Sequence, residues 1–530
     1  MNNGEEILNG APRRQERFLA VATVILAASF LGIGSWASYH APLRNDQYQL
    51  IQLGQCVHHG GRVYVDCWEN KPPGVAWLNA LGLAMSGGDG VGPWLLPGAT
   101  AAAALAALWV AATRLFSVRT GRRIVLIAAL VYALRIYDTP SINPDFYASV
   151  FELAAVSLWL FGFAGGGVAA TRTRVTTICT LGGGLMWSAA TACKQVACIG
   201  LIALTLVAFA LAAARHTEGR RWLKSVAAAW VGFTIGIGAV AGVLAYQHTL
   251  GEAWAAIVTF NTGFADGTAL IAALGGWRVR ADLAPVAAFL WLALLGGGMT
   301  LYAGRANRTS RPLVFAMILW WFAAVAFALL GPSGSMRYWQ ATFTPMILLA
   351  GAGVYHIQQA QERLEGTQRL TFIAVIVTAL VMLMRPTLDE VRVGLASSYA
   401  ASVEQPDERD RLVEIGRRVR KLVPPGERIY VWGYHAGVYV YSDRLPASRF
   451  TYPRSHEQMD EILADLERGK AYLLLIPKHR VPEFAHFCDE ACHQRLEGVL
   501  QTYRSLEPIG PYGVWVRAKE EKTGITPSPP

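Results

Sequence analysis

Asp46 lies in Asn45-Asp46-Gln47-Tyr48, directly after the first long apolar run of the chain. A carboxylate at the top of a helix can act as a general base toward a hydroxyl. The same loop then carries Tyr64-Val65-Asp66-Cys67-Trp68-Glu69-Asn70-Lys71-Pro72-Pro73-Gly74. Lys71 can neutralise a phosphate as a point charge, and the two prolines stiffen the backbone beside it. Ordinary loop charges are the plain alternative, but their clustering argues against it. Further on, Asn143-Pro144-Asp145 precedes an apolar run, where Asp145 suits a helix N-cap. Cys193-Lys194-Gln195 interrupts an apolar stretch. A lysine at that depth needs an anionic partner or must snorkel to the surface. Arg337, in Gly331 to Tyr338, offers a bidentate phosphate contact.

These residues are spaced by segments that read as membrane spans. About eleven apolar runs approach or exceed the roughly 18 residues that a spanning helix needs. They fall near 18–39, 94–115, 122–138, 146–168, 175–192, 196–214, 223–246, 282–303, 312–331, 339–356 and 370–386. The first is too long for the apolar core of a signal peptide, and no small-x-small cleavage site follows it. Basic residues recur in every second link: Arg13, Arg14 and Arg17; Arg114, Arg119, Arg122 and Arg123; Arg172 and Arg174; Arg215, Arg220, Arg221 and Lys224; Arg305, Arg308 and Arg311; Arg363 and Arg369. By the positive-inside rule the N-terminus is cytoplasmic. An odd number of spans then puts the C-terminal part outside. The formal net charge of +10 is therefore an orientation signal. It forms no basic stripe of the kind that binds nucleic acid.

The predicted organisation is a transmembrane domain over 1–390, with long outer loops at 40–93 and 247–281. A soluble α/β domain follows over 400–520, and a disordered Pro-rich end over 521–530. In the first loop, Val75 to Met85 is too short to span and suits an interfacial helix. Phe260, Phe264 and Trp277 mark the second loop. In the tail, residues 407–422 form an amphipathic helix stopped by Pro424-Pro425-Gly426. Strands are expected at Arg428 to Trp432, Ala471 to Pro477 and Val514 to Arg517. Helices are expected from about Ser455 to Arg468 and around Ala491 to Tyr503. That alternation suggests a parallel sheet. Cys56, Cys67, Cys488 and Cys492 all fall on the oxidising side, and their even number permits disulfides. His486, Cys488, Cys492 and His493 do not have the spacing of a standard zinc finger. No nucleotide fingerprint, P-loop or Ser-His-Asp pattern is present.

In the order of its motifs the chain resembles the GT-C glycosyltransferases that use polyprenyl-phosphate sugars, of the bacterial dolichyl-phosphate-mannose or aminoarabinose transferase type. Asp46, Tyr48 and Lys71-Pro72-Pro73 follow that family's order in the first outer loop. Asp145 matches its second acidic residue, Lys194-Gln195 its Lys-Gln pair, and Arg337-Tyr338 its basic or aromatic pair, with Pro345 in the helix beyond. Val431-Trp432-Gly433, Tyr439 and Ser448-Arg449-Phe450 resemble the outer domain of some members. The chain departs from the frequent Asp-Glu signature, having Asp46-Gln47. The resemblance implies a polytopic α-helical GT-C fold and an inverting transfer from a polyprenyl-phosphate donor to an acceptor hydroxyl outside the cell membrane. It implies Asp46 and Asp145 as catalytic residues, and Tyr48, Lys71, Lys194, Arg337 and Tyr338 as substrate-binding ones. A divalent metal is not indicated, and no nucleotide site is needed when the donor is lipid-linked. The acceptor, whether protein, lipid or glycan, is open. The rival class is a transporter or flippase, which would carry charges at mid-depth reachable from both sides.

Overall fold

Each of the eleven apolar runs is helical over most of its described residues in the computed structural model. It describes residues 5–40, 45–87, 91–164, 170–216, 218–262, 283–302, 310–330, 336–403, 407–478 and 487–518. Phe264, Trp277, Gly331 to Ser335, His486 and the Pro-rich end lie outside the described residues. Among the described residues, seven helices are long and apolar enough to cross a membrane by length and composition. The four remaining runs are helical but shorter or more polar. They lie in Val118–Val131, Ala170–Cys193, Phe343–Arg363 and Gly366–Val403. Phe18, Leu95, Phe209 and Phe322 are exposed on the spanning helices, as a surface facing lipid tails requires.

The chain forms two compact units, and the boundary between them crosses the sequence several times. The first comprises Met1–Ala41, Asn70–Leu78 and Val91–Glu404; the second comprises Pro42–Glu69, Asn79–Gly90 and Gln405–Pro530.

The first unit is helical. Its helices pack where small residues allow backbones to approach, the usual solution in a medium as apolar as the side chains themselves. A Cβ on Gly184 would meet the Ala229 carbonyl, and one on Gly232 would meet that of Leu181. Glycine at both positions thus lets Ala170–Cys193 and Gly219–Tyr246 pack backbone to backbone. Beside this contact, Trp159, Phe163 and Trp222 form an aromatic cluster with ring centres 4.9–5.4 Å apart.

The second unit is built on a four-stranded sheet of β1 (Ile429–Val431), β2 (Leu473–Pro477), β3 (Tyr503–Ile509) and β4 (Tyr512–Arg517), in the order β1-β2-β4-β3. Only β1 and β2 are parallel, with Ile429 opposite Leu473. β4 runs antiparallel to β2 and to β3. The sheet is therefore mixed, and β3 is a strand that the sequence reading did not contain. Helices Asp407–Leu422, His456–Glu467 and Glu490–Gln501 accompany it. The last two are capped by Ser455 and Asp489, whose side chains accept the Gln458 and Cys492 amides. Cys56 is bonded to Cys67, and Cys488 to Cys492.

Candidate active site

In the helical unit the site grows from two helix boundaries. Helix Pro144–Ala164 starts with proline, whose missing N–H costs nothing there. Its cap is Asn143, whose Oδ1 accepts the Phe146 amide at 2.7 Å. Asp145 is thus not needed as the cap, and its carboxylate accepts a hydrogen bond from the Lys194 ammonium. Lys194 sits where helix Ala170–Cys193 ends. Its own backbone is extended (φ −148°, ψ 121°) before a short 3-10 turn over Gln195–Cys198. The lysine does not snorkel outward: it is 8% exposed. Its Nζ lies 4.4 Å from the Tyr338 ring centre and 5.4 Å from that of Phe327. The Arg337 guanidinium is 5.7 Å from the same Tyr338 ring. Two cations therefore flank one aromatic ring, with a carboxylate holding one of them.

A cavity beside this group is lined by Asp145, Ser149, Glu152, Lys194, Trp320 and Phe327, among others. Asp145 and Glu152 are seven residues apart, two turns on one helix face. Glu152 is buried and was missed from sequence. Its signal was available, since an acidic residue inside a spanning helix is a functional candidate by default.

Lys71 stands in the same unit, with its Nζ 3.4 Å from Asn70 Oδ1. Asn70 and Asn261 bind each other reciprocally. Asn70 Nδ2 donates to Asn261 Oδ1 at 3.0 Å, and Asn261 Nδ2 donates to the Asn70 carbonyl at 2.7 Å. The two outer loops are tied together beside Lys71. Pro72 and Pro73 are buried. A Cβ on Gly74 would lie 2.5 Å from the Ala192 carbonyl oxygen and 3.0 Å from the Cys193 nitrogen. The Lys-Pro-Pro-Gly run therefore rests on the helix end that presents Lys194.

Asp46 and Tyr48 belong to the second unit. Both lie on helix Asn45–His58, with Asp46 in its first turn, where the helix dipole favours a negative charge. Residues Gln47 to Gln55 of this helix are buried. Gln55 Nε2 donates to the Val440 carbonyl at 3.0 Å, and the Tyr48 and Tyr441 rings meet edge to face at 5.7 Å. The Asp46 carboxylate accepts a hydrogen bond from the Tyr434 phenol, which also reaches Gln49 Oε1 at 3.0 Å. Burial, with the Asp46 charge second, pushes the Tyr434 phenol far above its ordinary range.

The tail motifs fasten this loop. Arg449 donates to the Tyr64 carbonyl at 3.0 Å and pairs bidentately with Glu461, both contacts being 2.8 Å. The Arg449 carbonyl accepts the Trp68 amide at 3.0 Å. Tyr64 is fully buried with a left-handed φ of 76°, a conformation that only a well-packed surround maintains for a bulky residue. Burial, with Glu69 second, raises its phenol well above normal. Asp66 is engaged by Arg62. Burial alone would raise its carboxyl, but the Arg62 hydrogen bonds outweigh that and hold it below the usual range.

Asp145, Lys194, Arg337 and Tyr338 thus come together, with Lys71 in the same unit, while Asp46 and Tyr48 share the other unit with Tyr434.

No protein-family profile matches the chain, and no curated protein matches it. Solved structures do. The chain is similar to ArnT from Cupriavidus metallidurans bound to undecaprenyl phosphate, with a TM-score of 0.55 and 14% identity over 95% of this chain and 98% of that one. It is similar to the archaeal oligosaccharyltransferase AglB from Archaeoglobus fulgidus in complex with an inhibitory peptide and a dolichol-phosphate, with a TM-score of 0.56 and 12% identity over 96% of this chain and 75% of that one. The apo form of the Archaeoglobus fulgidus oligosaccharyltransferase gives a TM-score of 0.57 at 12% identity. The chain therefore shares the fold of these membrane proteins. At these identities the likeness is one of fold.

Proposed function

We propose that the protein is a membrane glycosyltransferase that moves a sugar from a polyprenyl-phosphate donor to an acceptor hydroxyl on the extracytoplasmic side. Fold alone does not fix chemistry. The observation that carries the reading is in the helical unit, where buried Asp145 holds buried Lys194 against the half-buried Tyr338 ring, with the Arg337 guanidinium beside the same ring. Cations grouped at the edge of spanning helices suit a lipid phosphate. Undecaprenyl phosphate is the ligand named for the similar ArnT structure, and a dolichol-phosphate is named beside an inhibitory peptide for AglB. Against a transporter, the fold is shared with a solved oligosaccharyltransferase.

In the reaction the acceptor oxygen attacks the anomeric carbon, and the bond from that carbon to the phosphate oxygen breaks. Polyprenyl phosphate leaves with the bonding pair. Lys71, Arg337 and Lys194 stabilise the charge that develops on it. Asp46 takes the proton of the acceptor hydroxyl, Asp145 orients the acceptor and fixes Lys194, and Tyr48 and Tyr338 line the bound substrate. A single displacement inverts the anomeric configuration. The N-terminus is cytoplasmic, and the C-terminal domain is extracytoplasmic at the cell membrane.

The test is transfer by purified protein from a panel of polyprenyl-phosphate sugars, with wild type beside Asp46→Asn. Wild type should release polyprenyl phosphate from one donor. Asp46→Asn should lower turnover by about a hundred- to ten-thousandfold, the usual contribution of a general base, while keeping donor affinity. No transfer from any donor, or near-normal turnover by Asp46→Asn, would overturn the respective part of the proposal.

A further inference from the structure

The C-terminal domain has no role in the chemistry outlined so far, yet one of its side chains reaches Asp46. We infer that Tyr434 is a positioning residue for the catalytic base: its phenol O–H fixes the Asp46 carboxylate in the orientation that accepts the acceptor proton. This rests on the reading of Asp46 as the base.

The geometry is specific. Tyr434 follows β1 in Trp432-Gly433-Tyr434-His435, and Gly433 has φ 116°. This is a backbone conformation that side-chain-bearing residues rarely adopt. The turn is closed by the His435 amide on the Gly433 carbonyl at 3.0 Å. It directs Tyr434 onto helix Asn45–His58, where the phenol meets Asp46 Oδ1 and, one turn further on, Gln49 Oε1. The ring is braced by Tyr452, with centres 4.5 Å apart. The charged groups that act on the phenol are Asp46, Glu69 and Arg454. The phenol is largely withdrawn from water and stays protonated through the physiological range, so it remains a donor.

A hydrogen bond to an ionised acceptor is stronger and more directional than a neutral one. It adds a directional constraint on a short side chain at a helix start. The gain is in placement. A misplacement of about 1 Å can cost about a hundredfold in rate. On this account the C-terminal domain acts in the reaction by holding the base on helix Asn45–His58.

The experiment is a double-mutant cycle on the full chain, with a defined polyprenyl-phosphate sugar and acceptor. Wild type, Asp46→Asn, Tyr434→Phe and the double variant are compared by kcat and donor KM. Tyr434→Phe should lower kcat by roughly ten- to a hundredfold and leave donor KM unchanged. In the Asp46→Asn background it should cost nothing further, because a residue that acts only through its partner is not additive with it. A merely structural role would give the same loss in both backgrounds, and that result overturns the inference. So does a wild-type kcat for Tyr434→Phe when Asp46→Asn is inactive. Should Asp46→Asn itself turn over normally, the base assignment falls, and this inference with it. If Tyr434→Phe does not fold, a fluorinated tyrosine at position 434 keeps the shape and strengthens the donor. It should move the acid limb of the kcat profile to lower pH, and an unmoved limb would overturn the inference.

Discussion

At the scale of residues, Lys194 and Asp145 define each other. Both are nearly buried, with side chains 10% and 4% exposed. Removing one partner of such a pair leaves a charge with no compensation and costs about 3–5 kcal/mol, whereas replacing both with apolar residues of similar size is often close to neutral. Lys194→Met should therefore lower the unfolding temperature in detergent markedly, and Lys194→Met with Asp145→Leu should recover much of the loss. Activity should stay low in both, because the phosphate contact is gone. A double variant no more stable than the single would show that the pair does not carry this energy. The sequence did contain Asp145 and Lys194 as separate candidates, each with a bland alternative, but not their pairing. They are 49 positions apart, and nothing local in either stretch names the other. The capping alternative for Asp145 falls because Asn143, two residues earlier, does that work. Tyr434 was invisible for a related reason. One tyrosine in a turn has no periodic signature, and its meaning lies in the helix it touches.

At the scale of elements, apolar periodicity served well where length and composition both spoke, and poorly where burial was polar. Helix Asn45–His58 was not foreseen because its buried face carries Gln47, Gln49, Gln52 and Gln55. Glutamines on a buried face disguise amphipathicity when their partners lie elsewhere, as Val440 does for Gln55. Strand β3 was missed because it is an edge strand, exposed along most of its length, with an irregular register between Leu506 and Ile509. The glycines of the spanning helices were legible as composition but not as contacts. Gly232 lies against the Leu181 backbone, which cannot move aside as a flexible side chain could. Gly232→Val should thus destabilise the helical unit by about 1–3 kcal/mol, the usual cost of overpacking. Gly238→Val on the same helix meets nothing within 4 Å and serves as the control. Equal unfolding temperatures for the two variants would mean that the close approach of the two helices is not maintained.

At the scale of the whole molecule, the open quantity is how many helices cross the membrane. Eleven apolar runs alternate with basic links, but among the described residues seven helices meet the length and composition for a span. Both counts are odd, so both put the two ends of the chain on opposite sides, and reporters at the termini cannot separate them. The link at Gly366 can. It follows helix Phe343–Arg363 and opens helix Gly366–Val403, neither of which is among the seven. If both helices cross, Gly366 is cytoplasmic, in keeping with Arg363 and Arg369 beside it. If neither crosses, Gly366 lies on the same side as Gly510. The basic residues decide between these: a short link carrying two arginines is retained inside far more readily than it is exported. Reporter fusions at Lys224 and Gly366 should therefore both read cytoplasmic, and a fusion at Gly510 should read extracytoplasmic. That outcome is what the proposed reaction needs, because it puts Asp46, just past the first span, and the C-terminal domain that carries Tyr434 in the same compartment. A fusion at Gly366 that reads extracytoplasmic would remove the last two crossings. A fusion at Gly510 that reads cytoplasmic would be the more damaging result. The contact between Tyr434 and Asp46 would then require that residue 46 be cytoplasmic as well, and the N-terminus with its arginines would have to lie outside.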